Sequence, residues 1–126
     1  AYAVFRWGGS LLRYPFLSNL VSSESILMIA NTKLENRACI GLIGCGAIAE
    51  IYHLPALMKM PGLADRLWLV EPNAGRLETV LRKFPCAGGV ADYQELEGKV
   101  RGVIVATPPS THYAISKWFL ERGVDV

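Results

Sequence analysis

Between Gly44 and Ala49 the chain reads Gly-Cys-Gly-Ala-Ile-Ala, a Gly-x-Gly-x-x-Ala spacing directly after a run of apolar residues. Residues of these types at this spacing suit the binding of a pyrophosphate. Gly44 permits a tight turn, Gly46 has no β-carbon to block a phosphate, and Ala49 is small enough for a helix to pack closely on a strand. The amides of Ala47 and Ile48 then fall at the positive N-terminus of that helix, where they can point at phosphate oxygens. Alone the spacing is a weak signal, because small residues are common at strand–helix turns. It gains support from Glu71, which ends the next apolar run 25 residues beyond Gly46. A carboxylate near that distance accepts both hydroxyls of an adenosine ribose and repels a 2′-phosphate. NAD is therefore favoured, while Arg76, close by in sequence, keeps NADP open.

Other reactive side chains have plainer readings. Cys45 adjoins the turn, where a helix dipole would lower a thiol pKa, yet its place inside the glycine loop suits a small filler better than a redox switch. His53 falls mid-helix, where a histidine packs at a helix–sheet boundary more often than it serves as a general base. Asp92, Glu95 and Glu97 make a solvated acidic patch with no histidine near them in sequence, so no metal cluster is expected. Cys39, Cys45 and Cys86 are odd in number and form no Cys-x-x-Cys pair. That excludes a disulfide framework and a cysteine zinc site, and it fits a reducing cytoplasm. Trp7, Trp68 and Trp118 are expected to pack rather than to react.

Placing these residues takes alternating strands and helices. A continuous apolar run over residues 38–43 suits a strand buried on both faces. A helical stretch follows to about Met60, kinked at Pro55 and closed by Pro61-Gly62. Leu67 to Val70 is a second strand and Ala74 to Phe84 a second helix, with Arg82-Lys83 near its C-terminus where the dipole favours cations. Gly88 to Ala91 is a short strand, Gln94 to Gly98 a short helix or turn, and Val100 to Ala106 another strand. Ser110 then caps a helix to Arg122, stopped by Gly123, and Val124 opens a fifth strand. Strands alternating with helices of this length imply βαβ units and a parallel sheet.

Residues 1–37 differ in character. Gly8-Gly9-Ser10 marks a turn and a helix N-cap, and Leu11, Leu12, Phe16, Leu17, Leu20 and Val21 recur at near-helical spacing interrupted by Pro15. A second short helix is expected from Ser23 to Ala30, then a polar linker over 31–37. This segment is a mainly helical extension of unassigned role: the tail of an upstream domain, a segment packing on the next one, or a result of how the gene was delimited. The chain begins on Ala1 rather than Met and ends on Val124-Asp125-Val126, so both ends are expected to be cuts.

The 126 residues are 52% apolar and 19% charged, with a formal net charge of +2. That composition supports a buried core and disfavours disorder. A charge so small and so spread along the chain offers no footprint for nucleic acid or an anionic membrane. No run approaches the ~20 apolar residues of a membrane span. Residues 25–30 are too short for one and lack the basic flank of a signal peptide.

In sequence order, residues 40–49, His53-Leu54-Pro55-Ala56-Leu57, Val70-Glu71-Pro72-Asn73 with Arg76, and Ala106-Thr107-Pro108-Pro109-Ser110-Thr111-His112 resemble the N-terminal half of the glucose-fructose oxidoreductase/inositol dehydrogenase (Gfo/Idh/MocA) family. The Thr-Pro-Pro-x-x-His turn is the most distinctive of the four, and the likeness covers residues 38–126. The resemblance implies a Rossmann-like, doubly wound parallel sheet, incomplete at its C-terminus. It implies that Gly44, Gly46, Ala47 and Ile48 bind the pyrophosphate of NAD or NADP and that Glu71 binds the adenosine ribose. Thr107, Pro108 and Pro109 would line the nicotinamide side, since a rigid Pro-Pro turn at a strand's carboxyl end walls the crevice where such sheets bind ligands. His112 would sit beside that crevice, where a structural hydrogen bond fits as well as a cofactor contact.

The family's catalytic lysine lies in a Glu-Lys-Pro motif after the fifth strand, and its substrate domain carries the proton-transfer histidine. Neither is matched here, so no catalytic residue is assigned. The expectation is the cofactor half of an NAD(P)-dependent oxidoreductase acting on a sugar, inositol or related polyol, inactive by itself, with homo-oligomerisation left open. The alternative is a non-catalytic dinucleotide-sensing or scaffold module, and a third reading has residues 1–37 dock on another domain or subunit.

Overall fold

The computed structural model describes residues 3–7, 10–14, 24–25 and 38–126, which belong to two compact units, Ala1–Arg37 and Ala38–Val126. In the first unit, β1 (Ala3–Trp7) pairs antiparallel with β2 (Ser10–Tyr14), and Trp7 stands opposite Ser10. This corrects the expectation at Ser10, which starts a strand where a helix N-cap is expected. A Gly-Gly pair separating two short runs is a hairpin signal, and it outweighs a helical spacing that had to cross Pro15. Glu24 and Ser25 are helical, while the rest of the expected 23–30 helix and the 31–37 linker lie outside the described residues.

The second unit is built on a parallel sheet of β3 (Ile40–Ile43), β4 (Leu67–Val70), β5 (Gly88–Val90) and β6 (Gly102–Val105), in the order β5-β4-β3-β6. Beyond β6, Asp125 bridges Gly102 in parallel: its carbonyl accepts from Val103 N–H and its N–H donates to the Arg101 carbonyl. The chain therefore runs outward from β3 in one direction, returns past it, and continues outward on the other side. This is the doubly wound order whose reversal point opens a ligand crevice.

Side chains of successive strand residues point to opposite faces, and both faces here are buried. Leu42, Leu67 and Leu69 join Ala49, Leu54 and Val80 on one face; Ile43, Val70 and Val103 join Leu96, Ile115 and Phe119 on the other. The strands consequently read as unbroken apolar runs, as parallel sheets covered on both faces do. The helices supplying that cover are α1 (a π-helical stretch Ala49–His53 continuing as α-helix over Leu54–Met58), α2 (Ala74–Lys83) and α3 (Pro109–Leu120).

Pro55 shapes α1. It has no N–H to bond a carbonyl four residues back, and just before it the Leu54 N–H bonds the Ala49 carbonyl, five residues back. The turn widens instead of breaking. The start of α3 also differs from expectation. Pro108 is the N-cap and Pro109 the first helical residue, so Ser110 lies one step inside the helix. Proline suits that first position because its missing N–H would have no partner there in any case.

Trp118, packed against the core, lies edge-on to Tyr93 and to Phe119, and the Arg122 guanidinium stacks over its ring at 3.8 Å. Phe119 is fully buried while Leu120 is 60% exposed. Phe119→Ala is expected to lower the unfolding free energy by about 3–5 kcal/mol, and Leu120→Ala by less than about 0.5 kcal/mol. Urea denaturation of the two variants measures both, and similar small losses would contradict this packing.

Candidate functional site

Three strands end side by side, and their ladders run one residue past each strand. Gly44 N–H donates to the Val70 carbonyl, Ala106 N–H to the Ile43 carbonyl, and Glu71 N–H to the Val90 carbonyl. The turns that follow β3, β4 and β6 thus leave the sheet at one level, and they bring together the residues that the sequence singled out.

Gly44 turns with φ of +97°, and a β-carbon there would meet the Ala106 carbonyl oxygen at 2.8 Å. Only glycine meets both conditions. Gly46 is different in kind: a β-carbon there would meet nothing within 4 Å. The space in front of it is open, as a loop that receives a phosphate requires. Helical backbone begins at Ala47 and is held by Glu50 N–H donating to the Gly46 carbonyl. The first amides of a helix have no partner within it, so those of Ala47 and Ile48 come at the place where an anion is stabilised. Ala49 is fully buried under the sheet.

The loop is fixed by its neighbours from the end of β4. One oxygen of Glu71 accepts from Cys45 N–H at 3.2 Å and the other from Asn73 N–H at 3.0 Å. Asn73 caps α2 by accepting from Arg76 N–H, and Arg76 Nε donates to the Cys45 carbonyl at 2.8 Å. The N–H and C=O of Cys45 are therefore both held by residues of the Glu71–Arg76 turn. Each carboxylate oxygen of Glu71 keeps a second lone pair, which leaves it able to accept a ribose hydroxyl. Arg76 also pairs with Glu50 on α1, and Lys83 Nζ reaches the other Glu50 oxygen at 2.8 Å.

On the β6 side, Nε2 of His112 donates to the Thr107 carbonyl at 2.5 Å. The Thr111 hydroxyl lies 2.7 Å from the Thr107 hydroxyl and 2.8 Å from the Pro108 carbonyl. The Thr107–Pro108–Pro109 turn is thus braced by α3, and His112 meets main chain there. A cavity of about 510 Å³ opens between the turns, lined among others by Gly44, Pro72, Asp92, Thr107, Pro108 and Thr111. Its walls are mostly apolar side chains with a few polar groups, the usual make-up of a small-molecule site.

Several candidates resolve into structural roles. Asp92 and Glu95 form a capping box on the short 3₁₀ turn Tyr93–Leu96, and Glu97 pairs with Arg122. His53 sits at the junction of the π and α segments of α1. Cys45 is fully buried, with its thiol pushed up to about 12 by burial first and by the nearby Glu71 carboxylate second. Burial outweighs any helix-dipole effect, so the small-filler reading stands.

What residue spacing did not show is the clamp on Cys45 and the Glu50–Arg76–Lys83 cluster. Asn73 did carry a signal, being an N-cap residue type just ahead of a helical run. Glu50 carried none, since its partners lie 26 and 33 residues away.

The family model described as oxidoreductase family, NAD-binding Rossmann fold (Gfo/Idh/MocA) matches residues 39–126. Among solved structures, the chain is similar to a Gfo/Idh/MocA family oxidoreductase from Vibrio cholerae, at 28% identity and a TM-score of 0.62, over 69% of this chain and 28% of that one. It is similar to a 3-ketoreductase from Actinomadura kijaniata in complex with TDP-benzene and NADP, at 28% identity and a TM-score of 0.60, over 71% and 28% of the two chains. A scyllo-inositol dehydrogenase from Lactobacillus casei with bound NAD(H) and scyllo-inositol shares the fold at 16% identity and a TM-score of 0.59, over 69% and 26%. No curated protein sequence matches the chain. The chain spans less than a third of the length of these solved structures.

Two outcomes test the geometry of the loop. Gly44→Ala is expected to cost roughly 1–3 kcal/mol from the backbone conformation alone, measured as a fall in denaturation midpoint; an unchanged midpoint would contradict the turn. The raised thiol pKa keeps Cys45 protonated through neutral pH. Iodoacetamide at pH 8 is therefore expected to spare Cys45 in the folded chain and to modify it in urea, as read by mass spectrometry. Fast labelling of the folded chain would show that the loop is not closed over it.

Proposed function

The chain belongs to the Gfo/Idh/MocA oxidoreductase family, and from that premise we propose that residues 38–126 are the cofactor-binding part of an NAD-dependent oxidoreductase acting on a sugar, inositol or related polyol. The observation that carries this reading is the pairing of an open Gly46 with a carboxylate, Glu71, hydrogen-bonded to the same loop. Gly44, Gly46, Ala47 and Ile48 are the residues for the pyrophosphate, and Glu71 is the residue for the adenosine ribose. Thr107, Pro108 and Pro109 form the wall on the nicotinamide side. His112 acts through its bond to the Thr107 carbonyl, holding that wall in place.

Bound NAD supplies a hydride acceptor, so the tasks of these residues are to bind, to orient and to exclude water. Glu71 contributes selectivity for a free 2′-hydroxyl, because a carboxylate repels a 2′-phosphate. In this reading none of residues 38–126 moves a proton to or from the substrate, and hydride transfer requires the rest of a longer protein.

Titration of the chain with NADH, followed by calorimetry or nucleotide fluorescence, tests the proposal. Saturable binding is expected, weakened at least about tenfold by Gly46→Val, since the added side chain occupies the space that a phosphate needs. Gly46→Ala, whose β-carbon meets no protein atom within 4 Å, should keep the wild-type denaturation midpoint and weaken binding in the same direction. A folded chain that binds no NADH, or that responds equally to AMP, would overturn the reading.

A further inference from the structure

Among the described residues, Glu50 is unlike the other acids in holding two cations at once, Arg76 on one oxygen and Lys83 on the other. It stands on α1, immediately behind the phosphate loop, whereas both cations come from α2. Arg76 is further committed through Nε to the Cys45 carbonyl. Nε and Nη2 form one edge of the guanidinium, the side-on fork with which an arginine grips a phosphate or carboxylate. Here that edge is already spent, Nε on the loop and Nη2 on Glu50.

The position of this cluster matters because Glu71 holds the N–H of the residue whose carbonyl Arg76 holds. The acid assigned to the ribose and the nearest guanidinium thus flank a single residue, Cys45. A cation so placed would be the natural partner of a ribose 2′-phosphate. Arg76, Lys83, Glu50 and Glu71 together sum to zero formal charge. Without Glu50 they would carry one positive charge, and Arg76 Nη2 would be freed while Nε stays on the Cys45 carbonyl; both changes favour a dianionic phosphate. The Glu50 side chain is only 22% exposed and that of Arg76 35%, so the pair is screened less than a surface pair would be. Lys83 first, and Arg76 second, hold the Glu50 carboxyl below its ordinary range, so it stays ionised through neutral pH.

We propose that Glu50 is a specificity-positioning residue: by holding Arg76 on the phosphate loop it withholds that cation from a 2′-phosphate, so that the site takes NAD in preference to NADP. The proposal rests on the dinucleotide reading above and adds to it a residue that would not touch the cofactor. It divides the selection between two acids, Glu71 repelling the phosphate directly and Glu50 removing its counter-charge.

Calorimetric titrations of the full chain with NADH and with NADPH, for wild type, Glu50→Gln, Arg76→Ala and the double variant, test it. Wild type is expected to bind NADH more tightly. Glu50→Gln is expected to raise NADPH affinity relative to NADH by about tenfold, the size of one charge-assisted hydrogen bond gained. In the Arg76→Ala background the same substitution is expected to leave the ratio unmoved, because the cation it releases is gone. A ratio unchanged by Glu50→Gln, or one that moves equally with and without Arg76, overturns the role of Glu50 while leaving NADH binding intact. Absence of binding by wild type to either dinucleotide would instead overturn the functional reading, and this inference with it.

Discussion

Both polar groups of one residue's main chain hold the site together. The Cys45 N–H is taken by Glu71 and the Cys45 carbonyl by Arg76, while Glu71 also takes the Asn73 N–H that starts α2. Turns that leave two different strands are thereby joined into one hydrogen-bonded unit. A buried main-chain group left without such a partner costs about 1–3 kcal/mol, so the glycine loop and Glu71 stabilise each other's position. Glu71 is oriented by these bonds, and its remaining lone pairs are left for a ligand.

The clamp depends in turn on strand register. Ile43 lies opposite Val70 on one side and Val105 on the other, which sets the three following turns at one height. Gly44 must then pass beneath the Ala106 carbonyl, and its positive φ is what makes that passage sterically allowed. On the far side the Thr107 carbonyl is held by His112 and the Pro108 carbonyl by Thr111. The crevice is walled by backbone whose polar groups are largely satisfied from behind, so few main-chain atoms are free to move when a ligand arrives. Preorganisation of this kind lowers the ordering cost of binding.

Much of this was legible in the residues. The apolar runs at 38–43, 67–70 and 100–106 marked strands, which the fold forms over Ile40–Ile43, Leu67–Val70 and Gly102–Val105, and Pro61-Gly62 and Gly123 marked where helices stop. The glycine spacing and Glu71 pointed to one loop, and the fold does bring the carboxylate onto it. At Ser10 two signals conflict: Leu11 and Leu12 suit a helix in spacing, whereas the fold pairs Ser10–Tyr14 antiparallel with Ala3–Trp7. Such local signals conflict over a few residues, and pairing partners decide between them. The start of α3 lies two residues earlier than expected, because Ser110 is a good cap and Pro109 an equally good first residue.

By itself, then, the sequence determined the alternation of strand and helix, the glycine turn, the acid at the end of the second strand and the proline turn at the end of the fourth. These follow from periodicity and from backbone restrictions that act within a few residues. Tertiary structure alone decided what those groups are bonded to. It made His112 a brace on the Thr107 carbonyl, Cys45 the residue that Glu71 and Arg76 hold by its main chain, and Glu50 the anchor of Arg76 and Lys83. The physical reason is that a hydrogen bond or ion pair depends on distance in space, and residues 26 or 33 apart in the chain meet only once the parallel sheet has set α1 beside α2.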